Sequence, residues 1–312
     1  MHEMNPSMLR HIRVLSDGRP GHENQSVGLA LALARRTGAS HEIVRIEPKA
    51  SLWCRMRTAA ISTPTQLIIA AGHRTHWPLW WAARRAGARS VVIMRPSLPS
   101  ALFDLALIPR HDLGANAEDT PRRILTRGAL NRVPETLPAK TASGLVLLGG
   151  PSKHHGWDSP ALTSKILRVI TARPDLTWTV ADSRRTPDDF LGGLELPENT
   201  RRVPWRETTP DWLANELARA AVVWATEDSV SMVHEAVTSI AATGVLPVPL
   251  RGAKPGRPAR AVARLIADGY ATAYETWLAA GAGALVPGPA LHEAGRCADR
   301  LVAAWFKPKL SR

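Results

Sequence analysis

The residues best suited to chemistry lie in one stretch of the chain, residues 222–250, which read VVWATEDSVSMVHEAVTSIAATGVLPVPL. A helix is predicted here, and at about 100° per residue it carries Asp228, Ser231 and Glu235 on one narrow stripe. A helix N-terminus after a buried strand attracts phosphate, and a carboxylate two turns later can hold ribose hydroxyls. The stripe therefore favours a nucleotide ligand. An amphipathic surface helix with a solvated polar side explains the same pattern, and both interpretations stay open.

A second candidate is the segment SDGRPGH at residues 16–22, which follows a predicted strand at 11–15 and precedes a predicted helix at 23–36. Its glycines and proline allow a tight turn that lets the backbone approach a ligand closely. His22 stands at the helix start, where the dipole favours the neutral imidazole that a general base requires. A capping or loop histidine is the alternative interpretation.

A pair of histidines, His73 and His76, follows a predicted strand at 67–71 and raises the question of a metal site. Zinc would need a third and a fourth ligand at suitable spacing, and none is evident nearby. The adjacent His154 and His155 point differently in most backbone conformations. We therefore expect no metal ion.

The elements that must position these groups alternate between strand and helix, which predicts an α/β protein. The helix after Ser229 is expected to run to about Ala242 and to end at Gly244, with the next strand at 245–250. A second α/β repeat is predicted to begin with the strand at 144–148, after an interdomain linker at 134–143. The loop that follows this strand combines Gly149 and Gly150 with a lysine, which suits a phosphate.

Composition favours anionic partners, since 40 Lys and Arg stand against 27 Asp and Glu, a formal net charge of +13. The basic residues are scattered in pairs and accompany no RNA-binding or zinc-finger motif, so we expect no nucleic-acid partner. Two cysteines make no disulfide framework, and no segment is apolar for long enough to be a signal peptide or a membrane helix. These features predict a cytoplasmic protein, and peripheral contact with the inner membrane stays open.

The segment TEDSVSMVHEA, residues 226–236, resembles the signature of the "elongated mitochondria" family of mitochondrial fission proteins and their bacterial homologues. Further matching pieces are LSDGRPGHENQ at 15–25, AAGHRTH at 70–76, FDLALIPRHD at 103–112, LLGGPSKHHGW at 147–157 and DSRRTP at 182–187. The resemblance implies a GT-B fold, with two Rossmann-like domains facing across a cleft and a C-terminal helix that crosses back to the first domain. The implied domains are 1–138 for the acceptor, 139–290 for the nucleotide sugar, and 291–312 for the crossing helix and tail.

The same resemblance implies a glycosyltransferase that moves a sugar from a nucleotide-activated donor to a saccharide or lipid-linked acceptor. The reaction would need no metal and no cofactor and would invert the anomeric centre, with His22 as the general base. The donor ligands would be Gly150, Ser152, Lys153, Arg184, Arg185, Thr226, Asp228, Ser229, Ser231, Met232 and Glu235. For Arg184 and Arg185, a solvated face explains the sequence equally well. The acceptor side would be formed by Asp17, Gly18, Gly21, Gln25, Gly72 and Thr75. The alternative is a catalytically silent scaffold or a membrane-associated interaction protein with the same fold.

Overall fold

A computed structural model describes residues 8–47, 49–59, 64–113, 117–209, 211–252 and 255–306. The chain divides into two compact units. Unit 1 comprises residues 1–132 and 292–312, and unit 2 comprises residues 133–291. Within the described ranges, no helix is long and apolar enough to cross a membrane.

Unit 1 contains a parallel sheet of six strands in the order β2-β1-β3-β4-β5-β6. The strands are β1 (His11–Ser16), β2 (Ser40–Arg45), β3 (Leu67–Ala71), β4 (Arg89–Ile93), β5 (Leu105–Pro109) and β6 (Arg123–Thr126). Apolar runs such as LIIAA in β3 form strands that are buried on both faces, as a parallel sheet covered by helices requires.

Helices cover both faces of this sheet: α1 (Pro20–Thr37), α2 (Leu52–Ala59) and α3 (His76–Ala86). Successive residues of a strand point to opposite faces of the sheet. On one face Ile69 packs in a core cluster with α1, and on the other face Ile68 packs in a second cluster with α2 and α3. Helix α1 begins at Pro20, three residues before the predicted start, because proline fits the first helical position. His22, which was expected at the start of the helix, therefore lies in its first turn.

Unit 2 contains a second parallel sheet, in the order β12-β11-β10-β7-β8-β9. Its strands are β7 (Thr141–Leu147), β8 (Thr177–Ala181), β9 (Thr200–Val203), β10 (Ala220–Thr226), β11 (Ala242–Leu246) and β12 (Thr272–Ala273). Its helices are α4 (Ser159–Thr171), α5 (Trp212–Arg219), α6 (Val230–Thr238), α7 (Arg257–Ala267) and α8 (Tyr274–Ala279). Strand β7 starts at Thr141, so the last three residues of the predicted linker are strand.

The expected boundary between α6 and the next strand is wrong by several residues. The helix ends at Thr238, where the hydroxyl of Ser239 donates to the carbonyl of Ala236 and Ile240 takes a positive φ of 59°. Gly244 lies in the middle of β11, where a Cβ would come within 2.4 Å of the ring of Trp224 on the neighbouring strand. This glycine makes room for an indole and does not terminate the helix.

The last helix, α9 (Glu293–Trp305), returns to unit 1 and packs against α1. Its buried residues Cys297, Ala298 and Leu301 join the same core cluster as Leu29 of α1. The structure confirms the predicted α/β class with two Rossmann-like units and a C-terminal helix that returns to the first of them.

Candidate functional site

In unit 1, a carboxylate and an imidazole meet beyond the carboxyl end of β1. Both carboxylate oxygens of Asp17 lie 3.1 Å from Nδ1 of His22. The Asp17 side chain is only 1% exposed, while that of His22 is 19% exposed. A carboxylate can only accept, so Nδ1 carries the hydrogen, and in the neutral form of the ring Nε2 is the acceptor. This is the arrangement of an oriented general base.

Gly72, directly after β3, closes over this pair. A Cβ at this position would lie 2.4 Å from Nδ1 of His22 and 3.0 Å from Oδ2 of Asp17. The residue also has a φ of +93°, which side-chain-bearing residues rarely adopt. The structure thus brings together Asp17, His22 and Gly72 from two separate sequence segments.

The other residues expected on the acceptor side hold the local backbone. Gly18 has a φ of 76°, and its amide donates to Oγ of Ser16 at 3.1 Å. Gln25 donates from Nε2 to the carbonyl of Gly21 at 3.3 Å, within the first turns of α1. Thr75 is fully buried, and its hydroxyl donates to the carbonyl of Gly72 at 2.7 Å. These contacts shape the two turns that present the Asp17–His22 pair.

The two histidines after β3 have different environments. His73 is exposed, whereas His76 is buried and its Nδ1 accepts from the backbone N–H and the hydroxyl of Ser97. Burial lowers the pKa of His76 to about 4, with His73 and His22 contributing in the same direction. His76 is therefore neutral near pH 7. Across the described ranges, no three His, Cys, Asp or Glu residues form a group that could hold a metal ion.

In unit 2, the loop after β7 is tied to the loop after β10. The amide of Gly149 donates to the hydroxyl of Thr226 at 2.8 Å, and the amide of Gly150 donates to Oδ2 of Asp228 at 2.9 Å. Both glycine amides therefore donate within the protein, and the expectation that this loop suits a phosphate stays a prediction. Asp228 is not on the solvated stripe of the helix, since it precedes α6 and its side chain is 0% exposed.

The glycines are required by this close packing. A Cβ on Gly149 would lie 2.2 Å from Oδ2 of Asp228, and one on Gly150 would lie 2.0 Å from the carbonyl oxygen of Arg185. Only residues without a side chain let the three loops approach so closely.

Arg185, which follows β8, is bound by the carboxylate of Asp228 and by the carbonyl of Gly150. Its Nη2 lies 2.7 Å from Oδ2 of Asp228, and its Nη1 donates to the carbonyl of Gly150 at 2.6 Å. The arginine side chain is still 40% exposed. Oδ1 of Asp228 is buried and makes no hydrogen bond to the described residues. The network fixes a partly exposed positive charge at the carboxyl edge of the sheet.

Helix α6 begins at the same edge, directly after the turn that contains Asp228. Within the part of the chain that the structure describes, its N-cap residue, Ser229, makes no side-chain capping bond, so the amides of the first turn keep their capacity to donate. Ser231, Met232 and Glu235 are half-buried along this helix. An uncapped helix N-terminus beside a fixed arginine is suited to an anion.

The rest of the loop after β7 is folded on itself. Oγ of Ser152 accepts from the amides of His154 and His155 at 3.2 and 3.1 Å, and Lys153 is exposed. His155 is fully buried, and its ring nitrogens find no partner among the described residues. Burial lowers the pKa of His155, and the nearby Asp228 opposes this shift.

Trp205 is a candidate residue that the sequence reasoning missed. It follows β9 in a 3₁₀ turn (Trp205–Glu207), with the guanidinium carbons of Arg184 and Arg206 at 5.3 and 5.1 Å from its ring. Its backbone N–H donates to Asp182, and burial raises the pKa of that carboxyl group. An aromatic ring at the carboxyl edge of the sheet can stack on a base. Strand β9 has the sequence TRRV, which contains no apolar run, so no strand was predicted before Trp205.

Comparison with known proteins gives one family and one fold. A family model described as Mitochondrial fission ELM1 matches residues 20–305. The uncharacterized protein RP120 of Rickettsia prowazekii (strain Madrid E) is 22% identical over 293 residues, covering 73% of this chain and 81% of the relative.

Solved structures resemble the whole chain at low sequence identity. A protein from Listeria monocytogenes, provisionally assigned as a UDP-N-acetylglucosamine 2-epimerase, gives a TM-score of 0.62 at 12% identity, over 96% of this chain and 95% of that chain. The UDP-GlcNAc 2-epimerase from Neisseria meningitidis, bound to UDP-GlcNAc, gives 0.52 at 12% identity over 95% and 99% of the two chains. The glycotransferase of kitacinnamycin gives 0.50 at 17% identity over 95% and 99%. The chain therefore has the GT-B fold.

Proposed function

The chain belongs to the Mitochondrial fission ELM1 family, and we propose that it is a glycosyltransferase that takes its sugar from a nucleotide-activated donor. The observation that carries the proposal is the buried Asp17 with both oxygens 3.1 Å from Nδ1 of His22. A sugar hydroxyl is a poor nucleophile until a base accepts its proton, and an imidazole held by a carboxylate is such a base. Unit 1 would therefore act on the acceptor.

Unit 2 would bind the donor. The uncapped N-terminus of α6 and the fixed guanidinium of Arg185 suit the diphosphate, with Lys153 as a further positive charge. Glu235 would accept from the ribose hydroxyls, and Trp205 would stack on the base. In this proposal Thr226 and Asp228 act indirectly, because they hold Gly149, Gly150 and Arg185 in place.

The proposed reaction is a single displacement. The acceptor oxygen attacks the anomeric carbon, Nε2 of His22 takes its proton, and the bond to the nucleoside diphosphate breaks with inversion. Asp17 stabilises the imidazolium that forms, and the helix dipole with Arg185 stabilises the leaving diphosphate. These groups supply the charge stabilisation without a metal ion.

The first experiment is a thermal-unfolding screen of nucleoside diphosphates and nucleotide sugars. A ligand at about 100 times its Kd stabilises the native state by about 2.7 kcal/mol, which is a shift of about 5–10 °C for a domain of this size. Arg185→Gln should reduce the ligand-induced shift. Arg264→Gln removes an ion-paired, exposed arginine elsewhere in unit 2 and should leave the shift unchanged. Each ligand-free variant is measured first, because Arg185→Gln also removes the ion pair of the buried Asp228 and leaves it, among the described residues, only the amide of Gly150.

The second experiment follows the donor that binds. Release of nucleoside diphosphate together with a glycosylated acceptor, from a panel of saccharides and lipid extracts, supports the transferase. Conversion of the sugar to its epimer without an acceptor would contradict it in favour of an epimerase. A nucleotide that binds tightly and is never consumed with any acceptor would favour the silent scaffold.

A further inference from the structure

The outer face of α3 has an unusual composition for a helix on the surface of a protein. Helical spacing puts Trp77, Trp80, Trp81 and Arg84 on one side. Trp77 is 42% exposed, whereas Trp80 and Trp81 are half-buried and Trp80 also packs against the core. The opposite side, which includes Leu79, packs on the sheet and is buried. A helix that covers a sheet normally turns charged and polar residues outward. Here the outward side is mainly aromatic.

Helix α2 extends this surface. Trp53 is 63% exposed, the adjacent Leu52 is 41% exposed, and the ring of Trp53 lies 6.3 Å from that of Trp81. The two helices therefore present one continuous surface, which we call the α2–α3 face. It is formed by Leu52, Trp53, Arg57, Trp77, Trp80, Trp81, Arg84 and Arg85.

The charge on the α2–α3 face has a single sign. Neither α2 nor α3 contains an aspartate or a glutamate. The guanidinium carbon of Arg84 lies 6.0 Å from the ring centroid of Trp80, and that of Arg85 lies 5.5 Å from the centroid of Trp81. Arg57 on α2 is exposed. The face thus interleaves indole rings with guanidinium groups and is positive throughout.

We propose that the α2–α3 face docks the protein on the surface of an anionic lipid bilayer. Indole rings partition to the boundary between headgroups and acyl chains, because one part of the ring is apolar and its N–H is polar. Arginines beside them are attracted to anionic headgroups. The absence of acidic residues from both helices matches the charge of such a surface. This inference holds whether or not the protein transfers a sugar.

The position of the face gives docking a consequence for unit 1. Helix α3 starts four residues after Gly72, the residue that closes over Asp17 and His22. Docking through α3 holds the turn beside the candidate base close to the headgroups. An acceptor presented from the bilayer would then reach this turn without leaving the membrane surface.

The test is sedimentation of the full-length protein with phosphatidylcholine vesicles, with and without phosphatidylglycerol. The protein should bind the anionic vesicles, and binding should weaken as salt screens the arginines. Trp53→Ser combined with Trp77→Ser should abolish binding while circular dichroism and the Tm stay near wild type, because both side chains are exposed. Val286→Ser, at a residue of unit 2 that is 77% exposed, is the matched apolar control and should bind as wild type.

A second pair of variants isolates the charge. Each basic residue near an anionic surface strengthens binding about five-fold, so Arg84→Gln with Arg85→Gln should weaken it about 25-fold. Arg122→Gln with Arg127→Gln removes the same charge from exposed positions beside β6 and should change it less than about two-fold. Quenching of tryptophan fluorescence by brominated lipids in the wild-type protein gives a readout that needs no variant, and we expect quenching.

Several results would overturn the proposal. These are no sedimentation with anionic vesicles, no quenching, wild-type binding by the double tryptophan variant, or an equal loss in both arginine pairs. Light scattering adds a further criterion. Suppose that the wild-type protein does not bind vesicles and forms an oligomer, and that the double tryptophan variant is monomeric. The α2–α3 face would then be assigned to contact with a second copy of the chain.

Discussion

Replacing Gly72 with alanine tests whether the backbone after β3 positions the candidate base. The new Cβ would lie 2.4 Å from Nδ1 and 2.6 Å from Cε1 of His22, where ordinary contacts begin at 3.4 Å. The ring must therefore move by about 1 Å, which breaks its 3.1 Å contacts with Asp17. A misplacement of this size costs about 10²-fold in rate. The backbone cost at this φ adds about 1–3 kcal/mol to the loss of stability.

Gly87 provides the control for the backbone cost. It ends α3 with a φ of +62°, and a Cβ added there would meet nothing within 4 Å, so Gly87→Ala carries strain of about 1–2 kcal/mol and no collision. The assays are urea unfolding, donor turnover, and long-range ¹H–¹⁵N spectra of the histidine rings. Both variants should lose stability. Only Gly72→Ala should lose the Nδ1–H form of His22 and slow turnover.

The result that would refute this role of Gly72 is a Gly72→Ala variant with the wild-type ring spectrum of His22 and the same turnover as Gly87→Ala. In that case the Asp17–His22 contact does not depend on the glycine, and the assignment of His22 as an oriented base loses its structural support.

Three further predictions concern single side chains. His22→Ala should reduce turnover about 10²- to 10⁴-fold and leave nucleotide affinity within about two-fold, whereas His73→Ala, at an exposed neighbour, should do neither. Glu235→Ala should weaken nucleotide binding, measured by calorimetry, about 10- to 150-fold, because it removes a charge-assisted hydrogen bond to the ribose. An unchanged affinity would mean that Glu235 belongs to the solvated surface of the helix. His76→Asn should flatten the acid side of the stability–pH curve from urea unfolding. In the unfolded chain His76 is protonated below about pH 6.5, whereas in the folded protein, with a pKa of about 4, it stays neutral until the pH is much lower. The free energy of unfolding of the wild type therefore decreases as the pH is lowered from 6.5 to 4, by up to about 1.4 kcal/mol per pH unit. Parallel curves for the two proteins would contradict the assignment.

Much of the fold could be predicted because its signals are local. Buried parallel strands such as LIIAA and LALIP are continuous apolar runs, and glycines such as Gly38 and Gly87 end helices in the left-handed region. Gly244 was wrongly predicted to end a helix. A glycine is needed there because the ring of Trp224 on the neighbouring strand packs against it, and the local sequence does not reveal this contact. The edge strand β9 gave no apolar signal, and β12 has only two residues.

The candidate site divides in the same way. The sequence placed His22 and Asp228 at strand ends, because such ends collect polar residues in parallel sheets. It could not pair Asp17 with His22 or show that Gly72 closes over them, since these contacts depend on the packing of two loops. It also assigned the glycines after β7 to a ligand, whereas their lack of a side chain is needed for Asp228 and Arg185 to approach. Trp205 was missed because no strand was predicted before it.

The return of α9 to unit 1 has a consequence for synthesis of the chain on the ribosome. The core beside α1 includes Cys297, Leu301 and Phe306, which are translated only after all of unit 2. Until then, one side of the first sheet lacks its last cover, and apolar surface around Leu29 stays open to solvent and chaperones. Unit 2 is contiguous and can complete its core first. The nascent chain should therefore mature from its middle outward, and truncations before α9 should release a protein with a folded second unit and an aggregation-prone first one.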